Sequence, residues 1–255
     1  MKELTAEQLS ANWEEFIGYI DKYIPGDRGN KLKKFYEDRT ERFMFMPASG
    51  VDHYHSAYPG GYVEHVNRVV RASLDVMELW KKYESSLDCT VEEIVFTAIN
   101  HDLGKYGNDE HAYYIPNPSD WHRKNQGKIY EYNVELAKMP VPDRSILLLT
   151  SNGINISENE YIGIKTHDGM YDESNKYYLM GGYHWAQKLK TSLPYIVHQA
   201  DLMAARVEFE EWRDNYRDGA PQKVNKPKTS KQLTDSDKPL SEESSKKFDD
   251  LFKDF

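Results

Sequence analysis

Between residues 53 and 65 the chain reads HYHSAYPGGYVEH, three histidines with a Pro-Gly-Gly turn and Glu64. Imidazole and carboxylate are the ligands of first-row divalent ions and of proton-transfer sites, so such a run raises the question of partners elsewhere. NHDLGK, residues 100–105, places His101 and Asp102 just after an apolar run, at the edge of a core. Adjacent residues on a regular helix point ~100° apart, but at a helix end a histidine and a carboxylate can converge on one ion. In VHQADLMAARV, Asp201 stands among Ala200, Ala204 and Val207 at inward-facing helical spacing. An aspartate on an apolar stripe is costly unless it is paired, hydrogen-bonded or ligating. His65, His101, Asp102 and Asp201 together suit a first-row divalent ion or Mg2+, with open positions for water and phosphate oxygen.

Competing readings accompany these residues. The four ligands could form a satisfied polar core cluster. A second His-Asp pair, His167-Asp168, shows that the dipeptide alone is weak evidence. His53 and His55 read as turn or gate residues, and Glu64 as a solvated helix residue. His184 and His198 read as structural; His198, three residues before Asp201, is placed to orient it. Tyr113, Tyr114, Tyr130 and Tyr132 read as amphipathic packing, though a nucleobase could stack on them.

The chain that must position these groups has 255 residues, enough to bury a sizeable core. Hydrophobic residues make up 39%, and the mean hydropathy is -0.81, so part of the chain is expected not to fold. A net charge of -9 argues against broad adhesion to nucleic acid or anionic membrane. The lone Cys89 permits no intrachain disulfide. The acidic, amphipathic N-terminus lacks a signal-peptide core, and no stretch approaches the ~18 apolar residues of a membrane span. A cytoplasmic protein is expected.

Helical periodicity dominates. Thr5 with Gln8, Thr90 with Glu93 and Ser157 with Glu160 read as capping boxes. The first opens a helix with Leu9, Trp13, Phe16, Ile17 and Ile20 on one face; the second opens one facing inward through Val91, Ile94, Val95 and Ala98. Leu32, Phe35, Tyr36 and Phe43 predict one further helix. Val63, Val66, Val70, Met77 and Trp80 predict a long one after Pro59-Gly60-Gly61, the glycines letting it begin close to the site. Residues 108–125 read as a long loop. Asp143 is expected to cap the helix that stops at Gly153, a short hairpin is expected near residues 176–182, and a helix from Pro194 points Ile196, Val197, Ala200, Ala204 and Val207 inward. The fold class is all-α, a helical bundle.

With these residues in place a resemblance can be named. His65, then His101-Asp102 followed by Leu103-Gly104-Lys105, then Asp201 ahead of a small-residue helix, resembles the HD-domain metal-dependent phosphohydrolases, over roughly residues 50 to 210. HSAYPGGYVEH is similar to the opening motif of HD domains of the bacterial 3′–5′ exoribonuclease type. The resemblance implies an HD-domain bundle at 49–216 with helices of 1–48 packing on it. It implies hydrolysis of a phosphate ester with a divalent metal ion, without distinguishing Mn, Mg, Co, Fe, Ni and Zn. His65, His101, Asp102 and Asp201 would be the ligands. Asp102 would also orient the attacking water, and Lys105 would meet a phosphate as a point charge. Arg68 could join it or, like Arg71, be surface charge; His111 or His122 would serve as general acid. Two-metal members place further histidines before the last aspartate. His111, His122 and His167 are candidates here, His167-Asp168 of IKTHDG being nearest the pattern, while KNQGKIYEYN offers no histidine.

The exoribonuclease relatives carry a separate nucleic-acid-binding barrel before the HD domain, and residues 1–48 read as helices instead. With the net negative charge, the favoured substrate is a small nucleotide, a nucleoside monophosphate or deoxynucleoside triphosphate. Phosphodiesterase or 3′–5′ exonuclease action on cyclic nucleotide or nucleic-acid ends is the alternative, and a non-catalytic nucleotide-sensing module another. A homo-oligomer is compatible with all three. Residues 217–246 have almost no large apolar side chains and are expected to form a disordered linker. At 247–255, Phe248, Leu251, Phe252 and Phe255 fall on one side of a short helix. This end is similar to the peptides with which polymerases of large tailed phages hold their sliding clamp, which implies a clamp or other protein partner and a phage source.

Overall fold

Three helices begin in the predicted capping boxes: α1 (Ala6–Tyr23) at Thr5, α5 (Val91–Asn100) at Thr90 and α8 (Glu158–Thr166) at Ser157. In each, the cap hydroxyl accepts from the backbone N–H three residues on, and the Gln or Glu there accepts from the cap residue's own N–H. The computed structural model describes residues 2–216, and the linker and docking peptide expected at 217–246 and 247–255 lie outside them.

The single helix expected through Leu32 and Phe43 is two: α2 (Gly26–Glu37) and α3 (Thr40–Phe45). The Thr40 hydroxyl donates to the Glu37 carbonyl at 2.8 Å, a local bond that competes with continuing the helix. Next comes α4 (Gly61–Lys82), as expected. Gly60 before it has φ of 84°, and a Cβ there would lie 2.3 Å from Leu9 Cδ2. A Cβ on Gly61 would lie 2.0 Å from the Ser56 carbonyl oxygen. The pair is therefore required by how the turn folds against α1 and against itself.

Four expectations need correction. Residues 108–125 are not a plain loop: they contain β1 (Tyr114–Pro116) and most of α6 (Asp120–Gln126). The small hairpin is formed by β1 and antiparallel β2 (Tyr130–Tyr132), with Tyr114 opposite Tyr132, and 176–182 holds the one-turn α9 (Lys176–Leu179) instead. Asp143 does not cap α7 (Val141–Ser151); Pro140 is the capping residue, and the Asp143 carboxylate accepts from Lys165 Nζ at 2.7 Å. On α10 (Leu193–Asn215), Val207 is 46% exposed, and Glu208 is the residue that turns inward, at 4%.

The protein is all-α, with ten α-helices and one two-stranded sheet among the described residues. Its frame is α4, α5, α8 and α10: α10 packs on α4 and α8, α4 on α5, and α5 on α8. The first three helices close one side of the same core, where Phe16, Tyr36 and Phe43 meet Tyr62, Val66 and Phe96 with almost no exposure. Ring pairs such as Phe16–Tyr36 and Tyr36–Phe43, both 4.7 Å between centroids, add to the area term at about 0.5–1.5 kcal/mol each. No helix of the described residues is long and apolar enough to cross a membrane.

Candidate metal centre

Each of the four frame helices delivers a polar side chain to one point. His65 comes from the first turns of α4 and Asp201 from α10. His101 and His167 are the C-cap residues of α5 and α8. The two His-Asp pairs thus use one local device. His101 Nδ1 donates to the Ala98 carbonyl at 2.7 Å, and His167 Nδ1 donates to Ile164 at 2.8 Å. Helix-terminal carbonyls without an intrahelical partner accept these protons. The ring is thereby fixed in the tautomer that leaves Nε2 with its lone pair facing inward.

His65 reaches the same tautomer by another route. Its Nδ1 lies 3.1 Å from both carboxylate oxygens of Glu208, and Glu208 is buried. The Nε2 atoms of His65 and His101 are buried and make no hydrogen bond. Leaving such a group unsatisfied costs about 1–3 kcal/mol. What faces them is carboxylate. Asp201 Oδ1 is 3.2 Å from His65 Nε2 and 3.8 Å from His101 Nε2, and Asp102 Oδ2 is 3.4 Å from His101 Nε2. Asp102 Oδ1 is 3.6 Å from His167 Nε2. Lone pairs opposed to carboxylate oxygens at these distances need positive charge between them.

In the metal-free chain a proton supplies it. Burial works against the charged imidazolium, yet Glu208 and Asp201 push His65 up to about 10. His167 rises to about 9 against the same burial, through Asp168 and Asp102. The carboxyls of Asp102 and Asp201 are held below their usual range despite burial, Asp102 foremost by Lys105 and Asp201 by His65. Ligand atoms of His65, His101 and Asp201 lie within 4.8 Å of one another, as do those of His101, Asp102 and His167, of His55, His65 and Asp102, and of His167, Asp168 and Asp201. These buried His/Asp groups could hold a metal ion: the donors suit a divalent cation and the unpartnered Nε2 atoms point at its place.

All four expected ligands come together, and so do three residues read more weakly. His167 and Asp168 stand at the cluster. His55, read as a gate, has its ring 4.7 Å from that of His65 and its Nε2 3.3 Å from Lys105 Nζ. Burial, then Lys105 and His65, push His55 down to about 3, so it is a neutral acceptor. His53 stays in its turn, half exposed beside Asp52. Lys105 donates to Asp102 Oδ2 at 2.6 Å and keeps its proton: burial opposes the charge, and Asp102 more than restores it.

Other expected site residues do not reach the cluster. His111 is part-exposed with Nε2 3.9 Å from Glu110, and His122 sits in the exposed first turn of α6 against Trp121. Neither lines the cavity beside the cluster, where a general acid would have to stand. Arg68 does not line the cavity beside the cluster. Its guanidinium lies 3.6 Å from Glu208, 3.7 Å from Glu64 and 3.6 Å from Glu211, so it offsets their charge instead of meeting phosphate. Arg71 pairs with Glu15. His198 does not orient Asp201; its Nδ1 donates to the His167 carbonyl at 2.7 Å, bracing the second His-Asp turn. Glu208 escaped the sequence reading. Its signal was the repeat Asp201, Ala204, Glu208 along one face of α10.

The cluster opens into a cavity of about 150 Å3 lined by His55, Asp102, Lys105, His167, His198 and Asp201, among others. No protein-family model, no curated protein and no solved structure matches this chain.

Proposed function

We propose that the protein is a divalent-metal-dependent phosphohydrolase of the HD-domain type, cleaving a phosphate ester or anhydride of a small nucleotide. The observation that carries this reading is the pair of buried, unpartnered Nε2 atoms of His65 and His101 facing Asp102 and Asp201. The ligands would be His65, His101, Asp102 and Asp201, with His167 beside them and Asp168 extending the set. A divalent ion there would supply Lewis acidity at phosphorus and lower the pKa of a water.

The chain's own groups do the rest. Asp102, held between His101, His167 and Lys105, would accept a hydrogen bond from the attacking water. Lys105, protonated and 11% exposed in its side chain, presents a fixed positive charge to a phosphoryl oxygen. The carbonyl bonds to His101 and His167 and the Glu208 bond to His65 hold the imidazoles still, so nothing needs to reorganise as charge develops. His55 lines the cavity beside Lys105 and packs against the ring of His65. In this reading the enzyme works in the cytoplasm, and the apolar residues of 247–255 tether it to a clamp or similar partner. The direct test is phosphate release from a panel of nucleoside mono- and triphosphates, cyclic nucleotides and RNA ends with Mn2+, Mg2+ or Co2+. Nucleotide hydrolysis lost in His101→Ala is expected. Hydrolysis of RNA ends and of no free nucleotide would overturn the substrate assignment.

A further inference from the structure

The cavity beside the cluster, about 150 Å3, is small and has room for a few waters. Pockets that enclose a whole drug-sized ligand are larger, ~300–1,000 Å3. A phosphoryl group and its water fit in this space; a nucleoside does not. Whatever the phosphate is attached to must lie at the mouth.

Two apolar side chains line this cavity and are also open to solvent: Tyr171 at 86% and Leu202 at 48%. Tyr171 is the more telling. It belongs to the turn that follows His167-Asp168, and that turn is built tightly. Gly169 has φ of 59°, and a Cβ there would lie 2.3 Å from His198 Cε1, so the backbone is pressed against that ring. The buried Asn175 side chain donates to the Gly169 carbonyl at 2.9 Å, and the Tyr171 N–H donates to the Asp168 carbonyl at 3.3 Å. A ring this exposed contributes little to the core, yet its backbone is braced by the turn that places His167. Leu202 follows Asp201 on α10, so the helix that delivers Asp201 also brings Leu202 to the cavity.

We infer that Tyr171, assisted by Leu202, is the platform on which the base of a nucleotide lies while its phosphate occupies the cavity. The inference rests on the phosphohydrolase reading and adds its specificity: phosphate esters that carry a flat ring are preferred, and the identity of the base matters little. Every base has a π-face, and stacking is sequence-tolerant. No polar side chain besides those of the cluster is needed to read an edge.

The test measures binding rather than turnover. The Mn2+-loaded protein is titrated with the 5′-methylenephosphonate analogues of AMP, UMP and ribose 5-phosphate, which cannot be cleaved at that bond. Both nucleotide analogues should bind about five- to tenfold tighter than the ribose analogue, the low end of base–aromatic stacking for an exposed ring. Tyr171→Ala should abolish that preference and leave the ribose analogue's affinity unchanged, and Tyr171→Phe should keep it. An unchanged preference in Tyr171→Ala, or none in the wild type, would overturn the platform while phosphate release from nucleotides still upheld the hydrolase. Failure of all three analogues to bind would overturn both.

Discussion

Glu208 meets the Nδ1 of His65 with both oxygens at 3.1 Å, and this contact decides which nitrogen of the ring faces the cluster. Glu208→Ala should therefore lower ion affinity by roughly 10–100-fold, the usual cost of losing a residue that orients a metal ligand. Glu208→Gln, whose amide oxygen still accepts, should lose less; competition with a metal indicator dye measures both. Equal affinities in all three proteins would show that the tautomer is set otherwise. The same contact makes the metal-free protein pH-sensitive. His65 is raised from an ordinary ~6.5 to about 10 on folding, so its stabilising contribution is complete below the ordinary value and disappears as pH climbs through about 10. Thermal melts of chelated protein should fall between pH 7 and 10, whereas the ion-loaded protein, whose Nε2 needs no proton, should change far less. At this scale the sequence brought out His65, His101, Asp102 and Asp201, which cluster, and Lys105 beside them, because their types stand out against apolar surroundings. It did not disclose Glu208 or the part played by His55. Both meet His65 only through tertiary packing, and an inward glutamate beside an outward Val207 reverses what hydropathy implies.

Among the elements, capping chemistry was the most legible part. Thr5, Thr90 and Ser157 each satisfy the backbone of their own helix, a local matter that needs no knowledge of the rest of the fold. The hairpin was misplaced because strands of three residues carry too little periodicity to outweigh tyrosine-rich runs elsewhere. The turn Leu103–Tyr106 after the first His-Asp pair shows how an element serves the site. Gly104 packs so closely on α7 that a Cβ would lie 2.1 Å from the Val141 carbonyl oxygen, and its N–H donates to the Ser145 hydroxyl at 2.7 Å. Gly104→Ala should cost about 1–3 kcal/mol of stability by overpacking, read from urea unfolding. It should also displace Lys105, its neighbour, and weaken the phosphate contact proposed for that residue. An alanine variant as stable as the wild type would mean that the two segments separate freely.

For the molecule as a whole, α4, α5, α8 and α10 form a frame around the buried His65, His101, Asp102, His167 and Glu208 and the part-buried Asp201, with Asp168 at its exposed edge. Asp102 and Glu208 are buried, with Asp201 close to both His65 and His101. Charges held at such depth are tolerable when matched by a cation, so the ion should also be a stabiliser of the fold. Chelation should lower the melting temperature, and restoring the ion at 100-fold over its dissociation constant should return about 2.7 kcal/mol. The bundle itself was legible from helical periodicity; the pairing of helices across it was not, since nothing local states that α8 brings a second His-Asp pair beside the first. The most direct measurement is metal content by elemental analysis after dialysis against Mn2+ and then metal-free buffer, in wild type and in His101→Ala. About one ion per chain or more in the wild type, largely lost in a variant that keeps its helical circular dichroism, is the predicted result. Equal content in both proteins, or none in the wild type, would contradict the metal centre.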